Sequence, residues 1–189
     1  MITVYIRRIE SISEKEMQKI MKTLSVKARE RLDKKRNEKL FLASLCALSL
    51  LDDTQRADLE YTDEGSPYFA TLGANISITH SKTHAAVALS DSQSTFVGID
   101  AEDLDTAKNS TRFLTENEKK LAYSEREFIE IWTKKESLFK FLKNDSTPFI
   151  LLDSTMPEKY GARFIRTNID TTVVSICAPK NEEISIIQK

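Results

Sequence analysis

The sequence predicts an α+β fold in which helices pack on a small β-sheet, twice over along the chain. Short alternating or apolar runs typical of strands occur at the beginning, middle and end, and stretches with helical periodicity lie between them. The chain has 189 residues, a length that allows one larger domain or two small lobes sharing a core. Its apolar fraction of 40% is enough to close such a core.

The first predicted strand begins the chain, where Ile2, Val4 and Ile6 alternate with other residues. Ser13 followed three residues later by Glu16 is a capping-box pattern, so a helix is expected to begin there. The remaining elements of the N-terminal half are a long helix, basic in its first half and apolar in its second, and two strands: residues 25–51, 76–80 and 85–89.

The C-terminal half repeats this mixture. A strand ends at Val97-Gly98-Ile99-Asp100, and the other expected elements are helices over residues 113–122 and 128–143 and strands over 164–169, 172–177 and 184–187. The first of these helices is expected to face mostly solvent, because it carries Glu116, Glu118, Lys119 and Lys120. Residues 84–90 and 171–178 have similar β character, a weak sign of duplication. We use it to place a lobe boundary near residues 91–95, which divides the chain into residues 1–92 and 93–189.

Composition excludes several classes of protein. Lys plus Arg number 28 against 29 Asp plus Glu, a net charge of -1 that argues against a nucleic-acid binder acting through overall positive charge. The apolar run 40–51 is too short to span a bilayer and predicts a buried helix. The N-terminus has no export-signal pattern, so a cytoplasmic protein is expected, with Cys46 and Cys177 as buried free thiols.

Few glycines and histidines are available for familiar motifs. The four glycines form neither the dinucleotide fingerprint nor the phosphate loop, so a bound phosphate would be held by side chains, helix ends and metal. The two histidines, without an H-E-x-x-H pattern, exclude a zinc protease of that type.

The first chemical signal is the segment Val97-Gly98-Ile99-Asp100-Ala101-Glu102-Asp103. In a strand the period of two places Asp100 and Glu102 on one face. Two carboxylates on one face suit Mg²⁺, which takes hard oxygen ligands. By itself the pair is explained better by a solvated acidic turn, and it needs a third partner.

The predicted helix 128–143 offers that partner. Glu136 and Lys140 lie four residues apart on the flank of an apolar stripe, where they form either an ordinary surface ion pair or part of a metal and phosphate site. Lys135 falls within the stripe, where an ammonium is costly unless it reaches solvent or meets an anion. The stripe consists of Phe128, Ile131, Trp132, Leu138, Phe139 and Leu142.

Two basic features remain ambiguous from the sequence. His80 and Thr79 could donate hydrogen bonds to a phosphate, although a lone histidine at a strand end is more often structural. Arg31 and Lys35 are one helical turn apart and could converge on one anion, although basic helix starts are usually solvated faces.

Taken together, the segments G-x-P-Y-F, I-T-H-S, V-G-I-D-A-E-D, F-L-T-E-N-E and W-T-K-K-E-S-L-F-K resemble a 4′-phosphopantetheinyl transferase of the Sfp type. The resemblance covers about residues 25–143 and is specific in the G-I-D-x-E and W-x-x-K-E-x-x-x-K pair. It implies two similar lobes of small antiparallel sheets packed on helices, related by a pseudo-twofold axis, with the ligand in the cleft between them. Family members of this length act as monomers.

The resemblance also implies an activity, the transfer of the 4′-phosphopantetheine arm of coenzyme A to a serine of an acyl, peptidyl or polyketide carrier protein, with release of 3′,5′-ADP. The implied ligands of Mg²⁺, or of Mn²⁺ in its place, are Asp100, Glu102 and Glu136. Lys140 is implied to contact the leaving phosphate, and Glu136 is the candidate base, directly or through a water. The implied coenzyme A contacts are Arg31, Ser44, Thr79, His80 and Lys140.

Three departures from the family pattern bear on ligand affinity. Ser66 replaces a frequent lysine, Ala28 replaces a frequent basic residue, and no glycine turn follows Lys140. A non-catalytic coenzyme A or carrier-protein binding module is the alternative, although a binder has no need of the acidic set with Lys140. Nucleic-acid binding by residues 27–39 is disfavoured by the net charge and by the acids within that segment.

Overall fold

The computed structural model describes residues 1–10, 12–35, 37–106, 111–143 and 146–189. Its strands are β1 (Ile2–Arg8), β2 (Leu59–Tyr61), β3 (Pro67–Phe69), β4 (Asn75–His80), β5 (His84–Ser90), β6 (Gly98–Asp103), β7 (Ala162–Ile169), β8 (Thr172–Pro179) and β9 (Ile184–Gln188). Its α-helices are α1 (Glu14–Thr23), α2 (Val26–Asp33), α3 (Glu38–Ser49), α4 (Asp53–Asp58), α5 (Glu116–Lys119) and α6 (Glu125–Leu142). Short 3₁₀ turns occupy Thr111–Phe113, Phe149–Leu151 and Pro157–Tyr160.

The strands form three sheets, which confirms the α+β class. The order of the first sheet is β4-β5-β1-β9, that of the second is β2-β3, and that of the third is β6-β8-β7. All pairings are antiparallel except that of β9, which runs parallel to β1 and so completes the N-terminal sheet from the C-terminal end of the chain. The division at residue 92 and the pseudo-twofold relation of two lobes stay predictions.

The N-terminal sheet is buried on both faces. Ala85, Val87 and Leu89 of β5 contact a core built with α1, α2 and α3. The intervening Ala86 and Ala88 point to the other face, where they join Ile2, Val4 and Ile6 of β1 and residues of β6 and β8 in a second core. The two larger sheets therefore pack against each other, and helices cover the outer face of the first.

The long helix predicted over residues 25–51 is wrong, because α2 and α3 are separate helices. α2 ends at Asp33, and α3 begins after Asn37, whose Oδ1 accepts hydrogen bonds from the backbone N–H of Lys39 at 2.9 Å and of Leu40 at 3.3 Å. An asparagine that caps a helix in this way competes with helix continuation. The apolar half is a buried helix as predicted, and it contains the buried free thiol of Cys46.

The helices of the C-terminal half are confirmed with shifted bounds. A capping box at Ser124 starts α6 at Glu125, three residues earlier than predicted. The helix predicted over residues 113–122 is limited in the structure to α5, which a 3₁₀ turn precedes. Its Glu118 is fully buried rather than solvent-facing. Cys177, on β8, is a buried free thiol as expected. In the described ranges, no helix is both long and apolar enough to cross a membrane.

Candidate active site

A cavity of about 360 Å³ lies where α2, α3, β4, β6 and α6 converge. All the residues that were predicted to bind metal or coenzyme A line this cavity: Arg31, Ser44, Thr79, His80, Asp100, Glu102, Glu136 and Lys140. These side chains come from five elements of both halves of the chain, so sequence order alone does not gather them. The roles assigned to the individual residues stay predictions.

Asp100 belongs to the acidic wall of the cavity, which consists of Asp100, Glu102 and Glu136. Its Oδ1 accepts hydrogen bonds from Lys140 Nζ at 2.7 Å and from Thr79 Oγ1 at 3.1 Å, while Lys140 Nζ also donates to the carbonyl of Ile99 at 3.1 Å. The other carboxylate oxygen, Oδ2, is buried and has no hydrogen-bond partner. An unpaired buried carboxylate oxygen is costly, so this atom is a ready acceptor for a cation or a donor.

Close approach of β6 to α6 brings Asp100 within reach of Lys140. At Gly98 a Cβ would lie 1.9 Å from the carbonyl oxygen of Ser137 and 2.6 Å from the backbone nitrogen of Phe141, so only glycine fits there. On the other side of β6, the backbone N–H of Ile99 donates to Ser77 Oγ on β4 at 3.1 Å. These two contacts hold α6, β6 and β4 side by side.

The three predicted metal ligands share the cavity wall without forming a metal cluster. Within the described part of the chain, no three histidine, cysteine or carboxylate side chains lie close enough to hold a metal ion. The Lys140 ammonium is paired with Asp100 instead. The donors nevertheless suit Mg²⁺, because Asp100, Glu102 and Glu136 offer only hard carboxylate oxygens and Asp100 Oδ2 lacks a partner.

Cationic side chains also line the cavity and are called here the cationic wall. Arg31 on α2 stacks over the ring of Tyr61, with Cζ 4.7 Å from the ring centroid. Lys35, two residues beyond α2, also lines the cavity, and burial together with the charge of Arg31 lowers the pKa of its ammonium. Lys35 was recognised from its spacing to Arg31 but not included among the predicted ligand contacts.

His80 and Ser44 complete this wall. Burial, reinforced by the charge of Lys35, lowers the pKa of His80, so its imidazole is neutral at neutral pH. Ser44 Oγ donates to the carbonyl of Leu40 at 2.7 Å, a common use of a serine within a helix, which leaves its oxygen as an acceptor toward the cavity.

A second groove of about 620 Å³ adjoins the cavity and shares Glu136 and Lys140 with it. Its wall includes Phe96 and Phe139, both partly exposed. Lys143, also in this groove, donates to the carbonyl of Ile76 at 3.1 Å, and burial lowers the pKa of its ammonium. The groove is thus a less charged continuation of the site beyond Glu136.

The sequence analysis assigned no role in the site to the aromatic residues. Trp132 lines the cavity, although the helical pattern assigned it only to the apolar stripe of α6. Tyr61 lines it as the platform for Arg31, a contact between distant segments that spacing does not reveal. The cavity as a whole combines cationic and carboxylate side chains in one lining, which suits a polyphosphate ligand accompanied by a divalent cation.

Comparison with known families supports this assignment of the chemistry. Residues 96–178 match the family model described as the 4′-phosphopantetheinyl transferase superfamily. The match contains β6 and α6, hence Asp100, Glu102, Glu136 and Lys140, and it extends beyond residue 143, where the quoted motifs end. It is a match to the superfamily, and the Sfp-type resemblance stays a prediction. No protein of curated function matches the chain.

Proposed function

We propose that the protein transfers the 4′-phosphopantetheine arm of coenzyme A to a serine of an acyl, peptidyl or polyketide carrier protein and releases 3′,5′-ADP, as a Mg²⁺-dependent cytoplasmic monomer. The observation that carries the proposal is the cavity that the cationic wall lines together with Asp100, Glu102 and Glu136. The superfamily match over residues 96–178 supports the same reaction.

The cationic wall is suited to the nucleotide end of coenzyme A. Arg31, Lys35 and the neutral imidazole of His80 offer donors to the 3′-phosphate, with Ser44 and Thr79 close by. Ala28 lines the cavity where a basic residue is frequent in the family, and Lys35 supplies a cation on the same wall. We expect the cation that is absent at residue 28 to be replaced by Lys35.

The acidic wall is suited to the pyrophosphate of coenzyme A. Asp100, Glu102 and Glu136 would hold the divalent cation, Mg²⁺ or Mn²⁺, and Asp100 Oδ2 is the acceptor without a protein partner. When bound, the cation supplies positive charge that neutralises the pyrophosphate and orients it. Binding of the cation by Asp100 Oδ1 would require Lys140 to release that oxygen, which would free the ammonium for the phosphate that departs.

In the reaction the serine oxygen of the carrier attacks the β-phosphorus, and its proton passes to the carboxylate of Glu136. The bond from the β-phosphorus to the bridging oxygen breaks, and its electron pair stays on that oxygen, now part of 3′,5′-ADP. Lys140, four residues after Glu136 on the same face of α6, neutralises this developing charge. The groove that shares both residues is positioned to take the pantetheine arm.

The test is incubation with coenzyme A, Mg²⁺ and a panel of apo carrier proteins, with the mass gain of each carrier as the readout. We expect one class of carrier to gain the arm, EDTA to stop the gain and Mn²⁺ to restore it. Asp100→Ala and Glu136→Ala should abolish transfer with cooperative unfolding preserved. The matched control is Glu158→Ala, an exposed carboxylate outside the cavity, which should keep full transfer.

A non-catalytic binding module, the alternative function, would give a different result from a transferase in the same experiment. Three carboxylates that do not meet at one point are what such a module would show. A wild-type protein that binds coenzyme A but modifies no carrier, with or without a divalent cation, would identify the module. Near-normal turnover by Asp100→Ala or Glu136→Ala would refute their shared role at the metal.

A further inference from the structure

Lys135 is a buried charge that the proposed reaction does not use. It precedes Glu136 on α6, and its side chain is 0% exposed. Its ammonium donates to Glu118 Oε2 at 2.7 Å and to the carbonyl of Leu152, and lies 5.5 Å from the centroid of the Phe149 ring. The lysine therefore meets an anion inside the protein, one of the two outcomes that its place in the apolar stripe allowed.

Glu118 is equally buried and is held from three directions. Besides the Lys135 ammonium, its Oε2 accepts from the backbone N–H of Thr115 at 2.8 Å. Its Oε1 accepts from the backbone N–H and the hydroxyl of Ser154 at 2.9 and 2.7 Å. The pair thus joins α6 to α5 and to the segment that follows the 3₁₀ turn Phe149–Leu151.

A buried ion pair of this kind contributes specificity of geometry more than stability. Desolvation of two charges offsets their attraction, and apolar residues of similar volume are often equally stable in such places. The hydrogen bonds, by contrast, fix the direction of the lysine. Because successive helical residues point about 100° apart, a fixed Lys135 also fixes where Glu136 points.

We propose that the Lys135–Glu118 pair is a positioning device for the reaction, which sets the rotation of α6 and thereby the place of the Glu136 carboxylate in the cavity. The inference rests on the proposed function, in which Glu136 acts on the pyrophosphate side of the cavity. Both residues of the pair act through Glu136 and touch no reacting atom. Small displacements matter at this point, since a misplacement of about 1 Å costs as much as 100-fold in rate.

The test replaces the pair by apolar residues in the double variant Lys135→Met with Glu118→Leu. We expect a lower melting temperature, because Glu118→Leu leaves the backbone N–H groups of Thr115 and Ser154 without their acceptor, so kcat is compared at a temperature where both proteins are fully folded. Its kcat should fall by about 10- to 100-fold, while KM for coenzyme A changes little, since the cationic wall is untouched. The matched control is Lys119→Gln with Glu116→Gln, an exposed pair on α5 joined at 2.6 Å, which should keep wild-type kcat.

Two readouts are independent of turnover. Trp132, the only tryptophan of the chain, lines the cavity one helical turn before Lys135, so its fluorescence reports coenzyme A binding directly. We expect the double variant to keep the wild-type Kd for coenzyme A in this measurement. Mn²⁺ binding in the presence of coenzyme A, followed by the electron paramagnetic resonance of the free ion, should weaken by about 10-fold or more, as when supports of metal ligands are removed.

The outcomes separate the two proposals. A wild-type protein that modifies no carrier contradicts the proposed function itself. A wild type that transfers the arm, together with a folded double variant of unchanged kcat and Mn²⁺ affinity, overturns the positioning role. If the double variant does not fold, Lys135→Gln with Glu118→Gln keeps polar partners of similar length and takes its place. Failure of both variants to unfold cooperatively would show that the pair is structural, and would equally overturn the inference.

Discussion

At the scale of single residues, the contact between β6 and α6 at Gly98 determines whether the acidic wall can form. The added Cβ of any other residue would overlap the carbonyl of Ser137, which belongs to the helix backbone and cannot rotate away. Lys140 reaches Asp100 and the Ile99 carbonyl only because the two backbones lie this close. A residue without a side chain therefore controls the placement of two charged ones.

Replacing Gly98 by Ala should separate β6 from α6. We expect a loss of about 1–3 kcal/mol in the free energy of unfolding, since the overlap is with backbone, and a fall in transfer rate from the displaced Glu136. Gly73→Ala is the control, because its Cβ meets nothing within 4 Å and only the positive φ of 60° is strained, at about 1–2 kcal/mol. Urea unfolding and the carrier mass assay measure both. Equal activity of the two variants at equal stability would contradict the steric role of Gly98.

At the scale of elements, the apolar periodicity predicted most of the strands and α6, and the capping-box pattern at Ser13 predicted α1, because these signals are local. The break between α2 and α3 was missed, since it depends on a single cap at Asn37 within a run of helix-forming residues. The burial of α5 at Glu118 was missed for another reason. Glu118 looked solvent-facing in sequence, and its buried partner Lys135 is supplied by a different helix.

The cap at Asn37 places the beginning of α3, which carries Ser44 to the cavity. Asn37→Ala should remove both of its hydrogen bonds to the helix N-terminus and lower the free energy of unfolding by about 1 kcal/mol. Asn37→Asp should keep the cap and add a favourable interaction with the helix dipole, so its stability should equal or exceed that of the wild type. Denaturant midpoints compare the three proteins. An alanine variant as stable as the aspartate variant would show that the cap has no effect.

The candidate site was predictable to the extent that its residues belong to specific motifs. Two such motifs contain Asp100, Glu102, Glu136 and Lys140, and all four residues line the cavity. Lys35 and Tyr61 belong to no motif, and their place in the site follows from the turn after α2 and from the β2 strand. The buried state of Asp100 Oδ2 and its pairing with Lys140 depend on interatomic distances that no spacing rule contains.

At the scale of the whole molecule, a polar junction joins the N-terminal sheet to the third sheet. Asp103 of β6 accepts hydrogen bonds from the backbone N–H groups of Lys82 and Thr83 and from the hydroxyls of Thr83 and Thr172. His84 lies in the same junction, with Nδ1 2.8 Å from Thr172 Oγ1. These contacts lie between the turn after β4 and the ends of β6 and β8, so the junction keeps β4 alongside β6.

The junction makes the stability of the molecule depend on pH through His84. Burial lowers its pKa, and the charge of Arg8 acts in the same direction, against the opposing charges of Asp170 and Asp103. The folded protein therefore resists protonation of this imidazole, while the unfolded chain takes up the proton below about pH 6.5. The stability that neutral His84 contributes is present above that pH and is lost as the pH falls through the lowered folded pKa.

We expect the free energy of unfolding to decrease on acidification from pH 7 to pH 5, with a slope from His84 of at most about 1.4 kcal/mol per pH unit. The pKa of His80 is lowered as well, so the wild type should lose stability through two groups and the His84→Gln variant through one. Urea unfolding of both proteins at half-unit steps gives the two slopes. Parallel curves for wild type and variant, or a wild type that gains stability on acidification, would contradict a neutral buried His84, whereas a shallower slope in the variant confirms that the junction between the sheets is an acid-sensitive point of the fold.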